Sequence, residues 1–401
     1  GEALFAKLGD PQYEVWEGKL PTVEELQAST GIDTVYGEKD FTGALRRLLN
    51  GAAMDPDAER YDGSEFPGLF QHLIEGEVEV WLDLGRYRRT DDSEPPSAEQ
   101  QLAASLKARF PEISIHNLGP ELEAMRYRKS DSELALLQRA IDITGEAVLA
   151  AMGRATAADH EYQVQATIEY TFRNMGACCA AFPSIVAGGE NATILHYGEN
   201  SAPLKKGDLL LMDIGAEVEF YAADISRTIP ISGRFTEDQR SIYELVLGAS
   251  REALAAAREG VSFADLEAIA MRHMGTGLLE LGLITENIDA QVKSYFLHGL
   301  GLSLGMDVHD AWEYELELTV DMVITIEPGL YVRPQDVVKA DWYQALDAEQ
   351  QATVDSALER FGGIGVRIED DVLIERRGAT LLSSDIPVTV EDIEAIMAPL
   401  P

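Results

Sequence analysis

Apolar residues recur at helical spacing in several segments of the second half of the chain, and helix caps precede them. An S-x-x-E capping box at Ser130 and Glu133 comes before a long run of this kind and predicts a long helix. Thr236 and Ser262 are expected N-caps of two later helices. The amphipathic helices predicted after the first cover 160–175, 236–258 and 263–281.

Other segments have the shorter apolar runs and bounding turn residues of strands. In the first part of the chain, predicted strands over 77–84 and 112–117 flank a helix over 101–110. A polar stretch, 334–360, is predicted to be a helical insertion. The strand-like segments of the second part are 183–196, 209–230, 295–310, 321–332 and 363–375.

The mixture of helices and strands predicts an α/β protein, and 401 residues are many for a single core, so we expect two domains. Residues 1–121 are predicted to form a small N-terminal α/β domain. We expect the beginning of this domain to be missing, because no complete first strand and helix precede the segment that starts at Asp10. Residues 122–401 form the second domain.

Composition fits a globular protein, with 46% hydrophobic residues and no apolar run of the length that a membrane span needs. The first residues lack the basic and apolar segments of a signal peptide, so a cytoplasmic location is expected. The two cysteines, Cys178 and Cys179, are adjacent, which suits a reducing compartment. We expect them to be small buried packing residues.

The charge is strongly acidic, with 70 acidic and 32 basic residues and a formal net charge of -38. Such a chain repels phosphate backbones and anionic membranes, which argues against nucleic acid or a membrane as a partner. The acidic residues are spread along the chain, as solubility alone would require.

The segment 209–230 contains two strand-like runs, each with one aspartate. A two-residue turn at Val218 and Glu219 would pair the runs as a hairpin and place Asp213 directly opposite Asp224. Two carboxylates at that distance repel each other unless a cation lies between them. The alternative is that one aspartate caps a turn while the other is solvated at a strand end.

Two more acids, Glu327 and Glu369, interrupt apolar strands, and an ionised carboxylate in a sheet is costly unless it is paired or binds a metal. Four carboxylates on neighbouring strands would suit hard divalent ions, whereas edge acids facing solvent are the alternative. Arg367 could pair with one of them. Histidines accompany these acids, although a lone histidine is more often a core residue: His196, His298 and His309.

The segments ILHYGEN, GDLLLMDIGAE, YAADISRTIPISGRFT, FLHGLGLSLGMDVHD, MVITIEPGLYV and GIGVRIEDDVLI together resemble the aminopeptidase P and prolidase group of the pita-bread metallopeptidases, peptidase family M24. The resemblance extends from about residue 122 to the C-terminus. It implies a pita-bread catalytic domain, and the preceding part resembles the smaller N-terminal domain of the same enzymes.

By position, the resemblance implies that Asp213 holds one ion, that Asp224 and Glu369 bridge two ions, and that Glu327 holds the other. Manganese is the implied metal, one or two ions per chain, with cobalt, zinc or magnesium as alternatives. A hydroxide between the ions would attack the carbonyl before a proline. The resemblance implies catalytic roles for Glu327 and for three histidines, His196, His298 and His309. It also implies that these histidines and Arg367 contact the substrate.

One implied metal ligand is absent, because the family has a histidine where this chain has Leu302. A strand between the two positions would hold His298 roughly 13 Å from that place, so it is not expected to replace the ligand unless the glycines between them form a bulge. The ion on the Glu327 side is therefore expected to be partly occupied, and activity to be reduced.

The leading hypothesis is an Xaa-Pro aminopeptidase or dipeptidase that acts on proline-containing peptides, as a homodimer or homotetramer. A second is a degenerate homologue that serves as a binding or scaffold protein. The third is a metal-free hydrolase of the creatinase type, although those enzymes lack the carboxylate set.

Overall fold

The computed structural model describes residues 2–9, 11–50, 54, 68–85, 95–311 and 316–398. The chain divides into two compact units, Gly1–Glu121 and Leu122–Pro401. Both units contain helices and strands, as the sequence predicts.

The described residues of the first unit form two pairs of parallel strands and several short helices. Strand β1 pairs with β2 and β3 with β4, and a small core contains Leu49, Leu106 and Ile113. The two strands and the helix predicted between residues 77 and 117 are confirmed as β3, α5 and β4. The elements are β1 (Ala3–Ala6), α1 (Pro11–Glu17), α2 (Val23–Thr30), β2 (Thr34–Gly37), α3 (Phe41–Leu49), α4 (Leu69–Ile74), β3 (Glu79–Leu82), α5 (Ala98–Arg109), β4 (Ser114–Asn117) and α6 (Gly119–Tyr127), of which the last continues into the second unit.

Among its described residues, the second unit has two packed helix pairs, three three-stranded antiparallel sheets and one two-stranded antiparallel sheet. Its helices are α7 (Asp131–Ala155), α8 (Glu161–Asn174), α9 (Glu237–Ala256), α10 (Phe263–Glu280), α11 (Asp289–Val292), α12 (Pro334–Val337), α13 (Asp341–Gln344), α14 (Ala348–Phe361) and α15 (Val390–Met397). Its strands are β5 (Cys179–Ala180), β6 (Ile185–Gly188), β7 (Leu209–Ile214), β8 (Ala216–Val218), β9 (Tyr221–Ala222), β10 (Ile225–Pro230), β11 (Val323–Ile326), β12 (Gly329–Tyr331), β13 (Gly365–Arg367), β14 (Asp370–Glu375) and β15 (Gly378–Leu381).

The predicted helix starts are confirmed where the signal is local. Ser130, Thr236 and Ser262 each accept a hydrogen bond from the backbone N–H three residues on, and each is part of a reciprocal capping box. Helix α7 packs on α8 and α9 on α10, with buried apolar faces in one large core. The predicted insertion over 334–360 is also helical, as α12, α13 and α14.

Two predicted strand segments are wrong in part. Residues 194–196, at the end of the segment 183–196, follow a 3-10 helix at Gly189–Thr193 and form a turn, so only β6 of that segment is a strand. In 295–310 the only ladder contact among the described residues is one isolated bridge, between Ser303 and Ile324. The apolar spacing there comes from side chains buried under irregular backbone, such as Tyr295, Leu300 and Leu304.

The sheets β10-β7-β6 and β11-β14-β15 carry the acidic residues at the ends of their strands. None of the helices in the described part of the chain has the length and apolar character of a membrane span.

Candidate metal centre

The hairpin that carries the two aspartates is shifted by two residues from the predicted register. Asp213 of β7 lies opposite Ser226 of β10, and Val218 lies opposite Tyr221. The predicted turn at Val218 and Glu219 and the direct Asp213–Asp224 pairing are therefore wrong. The turn is at Glu219 and Phe220, both of which have positive φ, 48° and 72°. Such angles are those of the two-residue turn that matches the twist of a hairpin.

The shift leaves both aspartates on one face of the hairpin, because an even slip does not exchange the faces. Continuing the register places Asp224 opposite Gly215, diagonal to Asp213. The ladder is interrupted there, between β7 and β8. A Cβ atom on Gly215 would lie 1.8 Å from the carbonyl oxygen of Ala223, so only glycine allows the two backbones to approach this closely.

We expect Gly215→Ala to destabilise the protein by about 3 kcal/mol or more, because the added methyl group must push the Ala223 backbone away. The same movement displaces Asp224, so affinity for a divalent cation is expected to fall as well. Urea unfolding and metal titration measure the two effects. The control is Gly153→Ala in α7, where a Cβ atom meets nothing within 4 Å and helix propensity favours alanine. Wild-type stability of Gly215→Ala would contradict the close approach.

The other two acids face each other in a second ladder. Strand β11 pairs with β14 and β12 with β13 in one register, and Ile368 N–H donates to the carbonyl oxygen of Pro328 in the gap between the pairs. Continuing this register places Glu327 opposite Glu369. Glu369 N–H donates to the carbonyl oxygen of Ser226, which joins this ladder to β10. The hairpin ladder is thus interrupted beside Asp224, and the second ladder is interrupted at Glu327 and Glu369.

The acids converge on one buried place. One carboxylate oxygen from each of Asp213, Asp224 and Glu369 lies within 4.8 Å of the other two. Asp224 is 5% exposed and Glu369 2%. Burial and then the neighbouring carboxylates raise the pKa of both well above the ordinary range, and burial raises that of Glu327 to about 8. Without a cation, this group of acids opposes its own ionisation.

These residues fit a divalent cation. Carboxylate oxygens are hard donors of the kind that manganese and magnesium prefer. In addition, Oδ1 of Asp213 is buried and has no hydrogen-bond partner, although its other oxygen is paired. A buried acceptor without a hydrogen-bond partner, beside two further carboxylates, fits a place that a cation would bind.

Arg367 is enclosed by this network and is 3% exposed. Its Nη2 lies 2.5 Å from Asp213 Oδ2, its Nε donates to Ser226 Oγ at 2.9 Å, and its Nη1 donates to the hydroxyl of Tyr331 at 2.8 Å. Ser226 Oγ donates in turn to Glu369 Oε2 at 2.8 Å. The predicted pairing of Arg367 with one of the acids is confirmed, and its described donors are directed at protein groups.

His298 also belongs to this network. Burial and the nearby Arg367 lower its pKa to about 3, so the ring is neutral and its 3.7 Å approach to Glu327 is not an ion pair. Nδ1 lies 2.8 Å from the carbonyl oxygen of Gly299 and therefore donates, so Nε2 accepts from the hydroxyl of Tyr331, also at 2.8 Å. The ring of His298 thus lies beside Glu327, although position 298 is four residues before Leu302.

The other two histidines are exposed on loops. His196 follows the 3-10 helix at Gly189–Thr193. His309 precedes Asp310, whose buried carboxylate lies 2.8 Å from Arg126 Nη2 and 3.4 Å from Lys129 Nζ. That pair of cations holds the segment on which His309 stands.

Sequence reasoning missed two buried acids, one that holds the loop of His196 and one that contacts Asp224. Glu161 is fully buried and accepts hydrogen bonds from the N–H groups of Gly188 and Ala202, from the side chain of Asn191 and from Tyr197, which together fix the loop of His196. At the start of a helix, an acid is too common to attract notice. Asp371, also fully buried, accepts from the N–H of Asp224 at 3.2 Å. Its position beside two other acids in the sequence was the available signal.

Leu302 is hydrogen-bonded to Thr325, which lies two residues before Glu327. Its N–H donates to Thr325 Oγ1 at 3.1 Å, and its carbonyl oxygen accepts from Thr325 N–H at 2.9 Å. Thr325 Oγ1 is in turn 3.4 Å from Glu327 Oε1. A side chain at position 302 is therefore attached close to the Glu327 side of the centre.

Comparison with known proteins connects this geometry to enzymes. The sequence profile described as metallopeptidase family M24 matches residues 135–376, and the profile of the aminopeptidase P N-terminal domain matches residues 1–55. The Xaa-Pro aminopeptidase of Haemophilus influenzae is 32% identical over 406 residues, which cover 98% of this chain and 81% of that protein. The human Xaa-Pro dipeptidase is 34% identical over 317 residues, 72% of this chain and 63% of that protein.

Solved structures agree with these sequence relatives. Aminopeptidase PepP of Pseudomonas aeruginosa superposes with a TM-score of 0.77 at 32% identity, covering 98% of this chain and 82% of that chain. The low-pH form of Escherichia coli aminopeptidase P gives a TM-score of 0.80 at 30% identity, with the same coverage of both chains. A zinc-substituted form of the E. coli protein, in complex with product, gives 0.74 at 30% identity and also covers 98% of this chain and 82% of that chain.

The predicted fold is confirmed by these neighbours, and the scaffold alternative has no support among relatives that are named as peptidases. Membership of a metallopeptidase family also agrees with the cation that the buried carboxylates require. From its carboxylate centre, its family profile and its relatives along almost the whole sequence, the chain belongs to metallopeptidase family M24, with an aminopeptidase P N-terminal domain before the M24 domain.

Proposed function

We propose that this chain is a metal-dependent Xaa-Pro aminopeptidase, which releases the N-terminal residue that precedes a proline. The observation that carries the proposal is the convergence of Asp213, Asp224 and Glu369, whose carboxylate oxygens lie within 4.8 Å of one another in a buried place. The named relatives supply the substrate class. A metal-free mechanism of the creatinase type is disfavoured, because it has no use for this costly group of acids.

In this proposal Asp213, Asp224 and Glu369 would hold divalent cations together with Glu327. Manganese is the proposed metal, with cobalt, zinc or magnesium as substitutes. Divalent ions bound there would lower the pKa of a water ligand and polarise the substrate carbonyl. Leu302 stands where the family has a nitrogen ligand, so the site beside Glu327 is proposed to be the weaker one.

The remaining tasks belong to the chain's own side chains. An Xaa-Pro bond has no N–H, so the site must recognise the peptide without that donor and must protonate the leaving proline nitrogen. We propose that His196 and His309, which are exposed, contact substrate and move this proton. His298 is neutral and bonded through both nitrogens, so it orients the centre, and Arg367 acts as a positioning residue for Asp213 rather than as a direct substrate contact.

The test uses chelator-treated full-length protein, resupplied with manganese, and three peptides: Xaa-Pro-Yaa, the dipeptide Xaa-Pro, and Xaa-Ala-Yaa. We expect release of the first residue from Xaa-Pro-Yaa only, and only after manganese is restored. Cleavage of the dipeptide alone would indicate a dipeptidase, and equal cleavage of Xaa-Ala-Yaa would remove the proline specificity. No cleavage with any metal would refute the proposal. Light scattering of the same samples tests the proposed homodimer or homotetramer.

A further inference from the structure

The two cysteines stand at the free end of the hairpin that carries the aspartates, and they are exposed, so the prediction that they are buried packing residues is wrong. Their backbone is well held. Cys179 lies opposite Glu217 in the β5–β8 pair, and Cys178 N–H donates to the carbonyl oxygen of Glu217 at 3.0 Å. The carbonyl oxygen of Cys178 accepts from Arg173. The thiols are thus attached to paired strands and not to a loose loop.

The side chains converge although the residues are adjacent. Neighbouring residues of a regular strand point to opposite faces, but β5 begins only at Cys179, and the two Sγ atoms are 3.0 Å apart. Cys178 Sγ also donates to Glu217 Oε1 at 3.2 Å. Donor atoms of all three residues lie within 4.8 Å of one another.

The geometry of adjacent residues disfavours a disulfide between Cys178 and Cys179. Consecutive Cα atoms are about 3.8 Å apart, which is shorter than the span of about 4.4 to 6.8 Å that unstrained disulfides require. The carboxylate of Glu217 also has no function in a disulfide. Two sulfur donors and one oxygen donor do, however, match the ligands and the open fourth position of a zinc-type site.

We propose that Cys178, Cys179 and Glu217 form a binding site for one thiophilic divalent cation of the zinc and cadmium class, separate from the carboxylate centre. Binding replaces the two thiol protons by the cation, and the protons pass to solvent. Sulfur donors select against manganese, which prefers oxygen, so the two sites discriminate between metals. Strand β8 follows β7 after one residue, so an ion here would fasten the arm that continues from Asp213.

The state without metal agrees with this exchange. Cys178 Sγ donates to Glu217 Oε1 at 3.2 Å, so the thiol carries its proton in this arrangement. Metal binding should therefore release about two protons per ion. The same carboxylate oxygen that accepts the thiol proton then becomes a ligand.

The experiment is a cadmium titration of the reduced, metal-free, full-length protein, followed by the absorbance of thiolate-to-cadmium charge transfer. We expect the band to saturate at one Cd²⁺ per chain, and we expect Mn²⁺ to produce no band. Proton release in a weak buffer gives the stoichiometry a second time. Alkylation of the thiols should be blocked by cadmium and restored by a chelator, a readout that needs no variant.

Variants distinguish this three-residue site from cadmium binding at a single thiol or at the carboxylate centre. Cys178→Ser and Cys179→Ser are each expected to weaken cadmium binding at least about 100-fold, and Glu217→Gln about 10- to 100-fold. Asp224→Asn, which alters the carboxylate centre, should leave the cadmium band in place. The proposal is overturned if no band forms at one equivalent, if Glu217→Gln binds as tightly as the wild type, or if Asp224→Asn abolishes the band.

Discussion

The substitution Asp224→Asn is expected to raise the melting temperature of the metal-free protein and to lower manganese-dependent hydrolysis at least about 100-fold. The two effects have one cause. Asp224 is 5% exposed and adjoins Asp213 and Glu369, so its charge is unfavourable in the absence of a cation. The same charge is needed to hold the cation. Differential scanning calorimetry with and without manganese, together with an Xaa-Pro-Yaa assay, measures both effects.

The pH dependence of this effect follows from the direction of the pKa shifts. Burial and the neighbouring acids raise the pKa of Asp224 well above its usual value, and burial raises that of Glu327 to about 8. For each group, the folded state therefore binds more protons than the unfolded state at any pH between its unfolded-state pKa and its folded-state pKa. Stability from these groups is present at acidic pH and is lost as the pH rises toward the folded pKa. The chelated wild type should lose stability between about pH 5 and pH 8.

The manganese-loaded wild type should lack most of this loss, since the cation keeps the acids ionised at both ends of the range. Asp224→Asn should show a shallower loss than the chelated wild type. Asp142→Asn, on the exposed face of α7, removes the same charge away from the centre and controls for the net charge of -38. A metal-free Asp224→Asn protein less stable than wild type would contradict the repulsion.

The hairpin shows how far sequence reasoning reaches at this centre. Its strands and the shared face of Asp213 and Asp224 were predictable, whereas the register was not. The turn places Glu219 and Phe220 at positive φ, and turn rules expect Asn or Gly at such positions. With no such residue in the turn, the sequence does not mark its place. The wrong register does not change the prediction that the two aspartates share a face, because a slip of two residues keeps each side chain on its face.

Long-range contacts set the second limit. Capping boxes predicted the starts of α7, α9 and α10 because all their partners lie within three residues. In contrast, Glu161 accepts hydrogen bonds from residues 27 to 41 positions later in the chain, and no local sequence pattern predicts these contacts. The segment 295–310 was predicted as a strand because apolar residues suggest one. In the described residues its backbone instead has one isolated bridge and single hydrogen bonds to Val323, Thr325 and Glu327, which no apolar pattern in the segment could predict.

The second large effect is expected from Leu302→His. Residue 302 is hydrogen-bonded on both backbone groups to Thr325, whose Oγ1 is 3.4 Å from Glu327 Oε1. An imidazole attached there would add a nitrogen donor on the side of the centre where, by resemblance to the family, one is lacking. We expect bound manganese to rise toward two ions per chain and turnover to increase at least about 10-fold. Metal analysis and kcat for Xaa-Pro-Yaa are the measurements.

Two controls isolate the nitrogen donor. Leu302→Ala removes the leucine without supplying a ligand, so any gain from mere space would appear in it as well. Met306→His places a histidine on the same segment at a position that is 45% exposed, and should change neither metal content nor rate. A wild type that already binds two ions and is as active as Leu302→His would show that Leu302 does not limit the centre.

The alternative is that His298 supplies the nitrogen ligand that Leu302 cannot, and the same measurements test it. Its Nδ1 is 3.7 Å from Glu327 Oε2, but both ring nitrogens are engaged, with the carbonyl oxygen of Gly299 and the hydroxyl of Tyr331. If the ring turned to bind an ion through Nε2, it would lose the hydrogen bond that Nε2 accepts from the hydroxyl of Tyr331. Replacement of the missing ligand by His298 therefore predicts that Tyr331→Phe increases manganese binding in the wild type but not in Leu302→His. If Leu302 simply weakens the site, Tyr331→Phe should lower binding in both, because it loosens Arg367.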